Sequence, residues 1–119
     1  MSEPTADAVR EHVAAFNAQD STRLLAGLSP DARWSTGTDV VQGRTALDDL
    51  FDPWLWSLEP SLELRSLIVD GDAAAAQLVE RLTVEGEARE FWIAAFFTVS
   101  SGLITDAKIY REGTADLDT

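Results

Sequence analysis

The second half of the chain is a train of strand-like segments cut by tight-turn dipeptides, and few architectures are compatible with it. "SLELRSLIVD" (61–70), "AAAAQLVERLTV" (73–84), "REFWIAAFFTVS" (89–100) and "LITDAKIYRE" (103–112) each read as a β-strand, the second by its period of two. Asp70-Gly71, Glu85-Gly86 and the "SSG" at 100–102 stand between them. Such dipeptides supply the left-handed backbone that a short hairpin loop requires, so the four segments predict a consecutive antiparallel meander.

The first half reads differently. In "TADAVREHVAAFNAQ" (5–19), Val9, Val13 and Phe16 recur at helical spacing, with Thr5 as the cap. "DSTRLLAGL" predicts a second, short helix capped by Asp20 or Ser21. "SPDA" (29–32) reads as a turn, "RWST" as a short strand, and "GTD" as a turn into "VVQG". A third helix is expected over "GRTALDDLFDPWLW", ended or kinked by Pro53. About three N-terminal helices before a meander imply an α+β fold: a curved antiparallel sheet with the helices over its concave side. A chain of 119 residues supports one domain over 1–119, with an acidic tail at 113–119 expected to fray.

Charge and composition narrow the function classes. Twenty-one acidic against nine basic side chains give a net charge of −12. Such a surface is a poor match for nucleic acid or for an anionic membrane, and neither is expected as a partner. No Cys and a single His leave no thiolate site and argue against a transition-metal site. No cofactor is implied. "MSEPTADAVREH" lacks a signal-peptide apolar region and no run reaches the roughly 20 apolar residues of a membrane helix, so a cytoplasmic protein is expected.

Against that background Glu80 is anomalous. Within "AAAAQLVERLTV" it shares a face with Ala76, Leu78 and Leu82, the row that should point at the core. A buried carboxylate must be paired, protonated or facing a cavity. It either joins an arginine near the sheet rim or works on a bound molecule. His12 lies on the apolar stripe of the first helix, as a hydrogen-bonded core residue or a functional one. Arg111 shares a face with Leu103, Ala107 and Ile109 at the end of the last strand, where it would neutralise Glu80, bind an anionic group or simply be solvated. Trp34 and Thr36 share a face of the short strand, and Trp54 and Trp56 cluster near the end of the third helix. Four Trp suit an apolar pocket, though core packing accounts for many such residues.

"VREHVAAFNAQD", "LSPDARW", "QGRTAL", the "DGD" hairpin and "FFTVSSGLITDAKIYRE", in this order over about residues 6–112, resemble the nuclear transport factor 2-like superfamily. The branch they resemble is the SnoaL-like polyketide cyclase group, beside the ketosteroid isomerases. The resemblance implies a cone, a bent sheet wrapped round a pocket with helices closing the wide end. By the same resemblance Glu80 matches a pocket aspartate of limonene epoxide hydrolases. His12 matches the oxyanion-stabilising tyrosine of steroid isomerases, and Trp34 and Thr36 match pocket-lining positions. No relative's mechanism transfers whole. The isomerase general base would fall near Thr36 and its second acid near Ala95. Where epoxide hydrolases bridge two acids with an arginine, Leu78 stands for the arginine and Ile109 for the second acid.

Two readings follow. In the first, the chain is a cofactor-independent enzyme on a small apolar, polyketide-like or terpenoid molecule. Glu80 is its general acid/base, His12 orients a water or polarises an oxygen, and Trp34, Thr36, Trp54, Trp56, Ile109 and Arg111 contact the substrate. The chemistry would be isomerisation, cyclisation or epoxide opening. In the second, the same pocket serves a non-catalytic binding or dimerisation module. Both accommodate a homodimer, because "FWIAAFFTV" is apolar on both faces and a doubly apolar strand needs a second cover.

Overall fold

The computed structural model describes residues 3–36 and 39–112. Helix α1 (Glu3–Asn17) and the short α2 (Ser21–Ala26) lead into β1 (Leu28–Thr36) and β2 (Asp39–Gln42). Helix α3 (Arg44–Leu50) follows, then β3 (Ser61–Asp70), β4 (Ala73–Val84), β5 (Glu87–Ser100) and β6 (Leu103–Arg111). The six strands form one sheet in the order β2-β1-β6-β5-β4-β3. The meander is therefore present as read, and the fold is the α+β cone expected, with a curved sheet that does not close on itself. The frayed tail expected at 113–119 lies outside the described residues. Among the described residues no helix is long and apolar enough to cross a membrane.

Two turns follow the sequence signal directly. Glu85 and Gly86 between β4 and β5, and Ser101 and Gly102 between β5 and β6, have φ near +52° and +80°, and +54° and +79°. Successive left-handed residues twist the hairpin in the sense its strands already have. The first hairpin is displaced by one residue: Asp70 pairs with Ala73, so its loop is Gly71-Asp72.

The β1 region departs from the sequence reading. Ser29–Ala32, expected as a turn before a short strand, lies inside the nine-residue β1. The register against β6 shifts between Leu28 and Arg33, and the intervening residues form a bulge with Pro30 and Asp31 exposed. A bulge is one of the few places where a strand accepts proline, which cannot donate to the ladder. The sheet is also not wholly antiparallel, because β1 runs parallel to β6. The third helix breaks beside Pro53, where the sequence placed its end or kink: Asp52 is extended (φ −124°, ψ 124°), as the residue before a proline prefers, and separate turns span Phe51–Leu55 and Trp56–Leu58.

The concave face carries the core. Ala74, Ala76 and Leu78 of β4 and Ile93, Ala95, Phe97 and Val99 of β5 are buried against Val9, Val13 and Phe16 of α1. Helix α1 is pinned over the sheet at both ends. The Thr5 hydroxyl donates to the Gly71 carbonyl at 2.8 Å. At the other end Asn17 donates to the Leu62 carbonyl at 2.9 Å and accepts from the Leu62 N–H at 2.7 Å. These bonds use the free edge of β3, and they fix the rotation of α1 that turns His12 toward the sheet.

The candidate active site

Between the helices and the concave face lies a cavity of about 620 Å³. Its walls are mainly apolar, with Phe16, Leu62, Leu78, Phe91, Ile93 and Phe97 among them. That volume falls in the range that holds a small organic ligand.

Glu80 stands in the wall, 4% exposed, in the row with Leu78 and Leu82. Its partner is Arg111. The guanidinium donates twice to one oxygen, Oε1, from Nη2 at 2.6 Å and Nε at 3.2 Å. Across the sheet, Glu80 is level with Phe91 of β5 and Arg111 with Ile93, so β4 and β6 deliver the two side chains over the intervening strand. The guanidinium also lies 5.8 Å from the centre of the Phe91 ring. Among the described residues, Oε2 accepts no hydrogen bond. The carboxylate is thus oriented by one oxygen and left with the other unclaimed.

His12 occupies a different part of the cavity. Its ring is 5.1 Å from that of Trp34 and 6.0 Å from that of Phe97. Phe97 and Phe91 are six residues apart on β5, about 20 Å along the strand. His12 therefore makes no pair with Glu80. Burial removes the water that would stabilise an imidazolium and pushes the His12 pKa down to about 4, so the ring is neutral near neutral pH. Among the described residues its buried Nδ1 has no hydrogen-bond partner.

The other expected contacts divide. Trp34, Thr36, Ile109 and Arg111 all line the cavity. So does Trp54, although it is 55% exposed, which places it at an opening. Trp56 does not line it. Its ring packs on Phe16 and stacks on Phe51, and its Nε1 donates to the Ser21 hydroxyl at 2.8 Å, so it secures the segment after α3 to α2 instead of meeting a ligand. The sequence reading did not single out Asp39, Glu85 and Arg89, which add charge to the lining, Glu85 and Arg89 at the β4–β5 hairpin end and Asp39 opposite Thr36 on β2. Only Glu85-Gly86 as a hairpin tip hinted at the former two. Among the described residues no three His, Cys, Asp or Glu side chains gather as a metal site would need.

This architecture is widely shared at low sequence identity, and no curated protein matches the chain. An LEH-like epoxide hydrolase from M. tuberculosis superposes with a TM-score of 0.85 at 20% identity, covering 93% of this chain and 84% of that one. SalBIII, an epoxide hydrolase/cyclase-like enzyme of pyran ring formation in polyether salinomycin, gives 0.85 at 21% identity, covering 96% and 94%. An NTF2-like protein of unknown function from Burkholderia pseudomallei K96243 gives 0.83 at 21%, covering 94% and 92%. At such identities the likeness is one of fold. The sequence profile of the SnoaL-like domain matches residues 9–107, and the chain belongs to that family.

Proposed function

We propose that the protein is a cofactor-independent acid/base enzyme acting on a small apolar molecule of polyketide or terpenoid type. The observation that carries this reading is the Glu80 carboxylate, fixed by Arg111 through Oε1 in the wall of an otherwise apolar cavity, with Oε2 unclaimed. An oriented carboxylate with a free oxygen in apolar surroundings is suited to take a proton from carbon beside a carbonyl, or from a water attacking an epoxide. The solved relatives named for epoxide hydrolysis and ring formation have this fold and support the same class of chemistry. Trp34, Thr36, Ile109 and Trp54 pack the substrate, and His12 acts on a part of it remote from Glu80.

Deuterium wash-in tests this without knowledge of the natural substrate. Ketones such as 2-tetralone are incubated with the protein in D2O, and mass gain beside the carbonyl is followed by mass spectrometry, with styrene oxide opening measured in parallel. The wild type should accelerate one reaction and Glu80→Gln should lose the acceleration by about a hundredfold or more. Equal rates in the two proteins would refute the assignment.

The second reading, a binding module, draws on the same pair: a carboxylate already engaged by a guanidinium also serves as a brace. A small molecule that co-purifies in native mass spectrometry and is released unchanged, with no wash-in, would select it. Either way we propose a homodimer through the convex face of the sheet. There Ile68, Phe96 and Tyr110 are 69%, 51% and 53% exposed, and Phe96 and Tyr110 meet edge-to-face at 5.8 Å. Apolar rings arrayed on one face gain by pairing with a second copy.

A further inference from the structure

We propose that His12 is the deep anchor of the cavity, and that the ligand is a flat, largely apolar hydroxyl compound that enters with its hydroxyl group leading. The inference rests on the reading of the cavity as a small-molecule site and specifies what that molecule must present.

Three observations carry it. First, His12 is a cavity-lining side chain only 6% exposed, and among the described residues its buried Nδ1 has no partner. Buried polar atoms are nearly always satisfied, so an orphan on a cavity wall points to a partner that arrives with the ligand. Second, the surroundings of His12 are aromatic, with Trp34 and Phe97 nearby and Phe51 edge-on to Trp34 at 6.1 Å. Such rings pack a flat apolar body, and of the three only the Trp34 indole carries a hydrogen-bonding group, a donor. Third, the charged lining residues Glu85 and Arg89 and the Glu80–Arg111 pair lie toward the β4–β5 hairpin, while Asp39, opposite Thr36, is level with Ile109 and Ala95 between the two ends. A polar group at the His12 end meets the imidazole and, beside it, the Trp34 indole.

The chemistry of that group follows from the imidazole. The ring is neutral, so one nitrogen donates and the other accepts. A hydroxyl both donates and accepts, so it satisfies Nδ1 in either tautomer. A carbonyl satisfies only one tautomer. A carboxylate would be buried there without a counter-charge, which is costly. An alcohol or phenol is therefore the group selected, and Glu80 is left to act on the other end of the molecule.

Binding of 4-phenylphenol and biphenyl, which differ by one hydroxyl, is the test. Both are titrated into the full-length protein, followed by tryptophan fluorescence, with the His12 imidazole nitrogens observed by 15N NMR. A net hydrogen bond of about 0.5–1.5 kcal/mol predicts that 4-phenylphenol binds the wild type roughly two- to tenfold more tightly than biphenyl. The His12 nitrogen resonances should move with the phenol and stay with biphenyl. In His12→Leu the preference should vanish while biphenyl still binds. Equal affinities in the wild type, or imidazole shifts alike for both probes, would overturn the anchor and leave the small-molecule pocket standing. Binding of neither probe would overturn the pocket reading and the anchor with it. The wild-type comparison needs no variant to fold.

Discussion

Replacing His12 by leucine should change how stability depends on pH, in a direction that burial dictates. The His12 pKa stands at about 4 in the folded protein against an ordinary 6.5. The unfolded chain therefore takes up a proton below pH 6.5 that the folded chain refuses until about pH 4. Stability from this group is complete above pH 6.5 and is lost as pH falls toward 4. The full difference corresponds to about 3 kcal/mol. For a domain of ordinary stability, about 5–15 kcal/mol, that is a large share. Leucine at position 12 has nothing to titrate, and it also removes the orphaned Nδ1. At pH 7.5 the variant should be as stable as the wild type or slightly more so. As pH is lowered to 4.5, its advantage should grow by about 2–3 kcal/mol. Urea unfolding at pH 7.5, 6.5, 5.5 and 4.5 measures this, and the carboxylates, which titrate in both proteins, cancel in the difference. If the two stability curves ran parallel across that range, the imidazole would be hydrated or paired, and the orphaned-nitrogen reasoning would fall.

Other expectations concern particular contacts. Glu80→Leu leaves the Arg111 guanidinium, 14% exposed, without its counter-charge and should cost about 3 kcal/mol, the low end for a broken buried pair. Adding Arg111→Leu should recover most of that loss in chemical denaturation, whereas additive losses would mean the two residues are not coupled. Asn17→Ala severs both bonds to Leu62 and should destabilise by about 1–3 kcal/mol while loosening ligand contacts at His12; amide exchange of Leu62 unchanged by the substitution would contradict the pin. Trp56→Phe should cost about 1 kcal/mol through the lost bond to Ser21 and leave the affinity for 4-phenylphenol intact, and weakened binding would return Trp56 to the site. Phe96→Lys should shift sedimentation to the monomer without changing probe binding; an unaltered profile would place the dimer contact elsewhere.

The parts of the fold legible in the sequence are those set by local chemistry. The β4 strand follows from alternation, β5 from a continuous apolar run, and their hairpins from Glu85-Gly86 and Ser101-Gly102, because left-handed turn backbone is a property of the residues at the turn. The end of α3 follows from Pro53 acting on Asp52. Ser29–Ala32 misled for an equally physical reason: serine, proline and aspartate favour turns, yet pairing with β6 drew them into a bulged strand. That partner lies some seventy residues away, so no local window contains it. The parallel direction of β1 against β6 is hidden for the same reason.

The site divides along the same line. Periodicity alone placed Glu80 and His12 on inward faces, and both line the cavity, as do Trp34, Thr36, Trp54, Ile109 and Arg111. Which of them meet was a matter of tertiary structure. Sheet order puts β5 between β4 and β6, and register sets Arg111 beside Ile93 and Glu80 beside Phe91; that pairs the two charges and leaves His12 alone near Phe97. Trp54 and Trp56, two residues apart, part company because the chain turns between them. Which side chains face inward is legible along the chain, since facing depends on a period of 2 or 3.6 within one element. Only the folded sheet decided the partners, since pairing depends on how distant elements are set side by side.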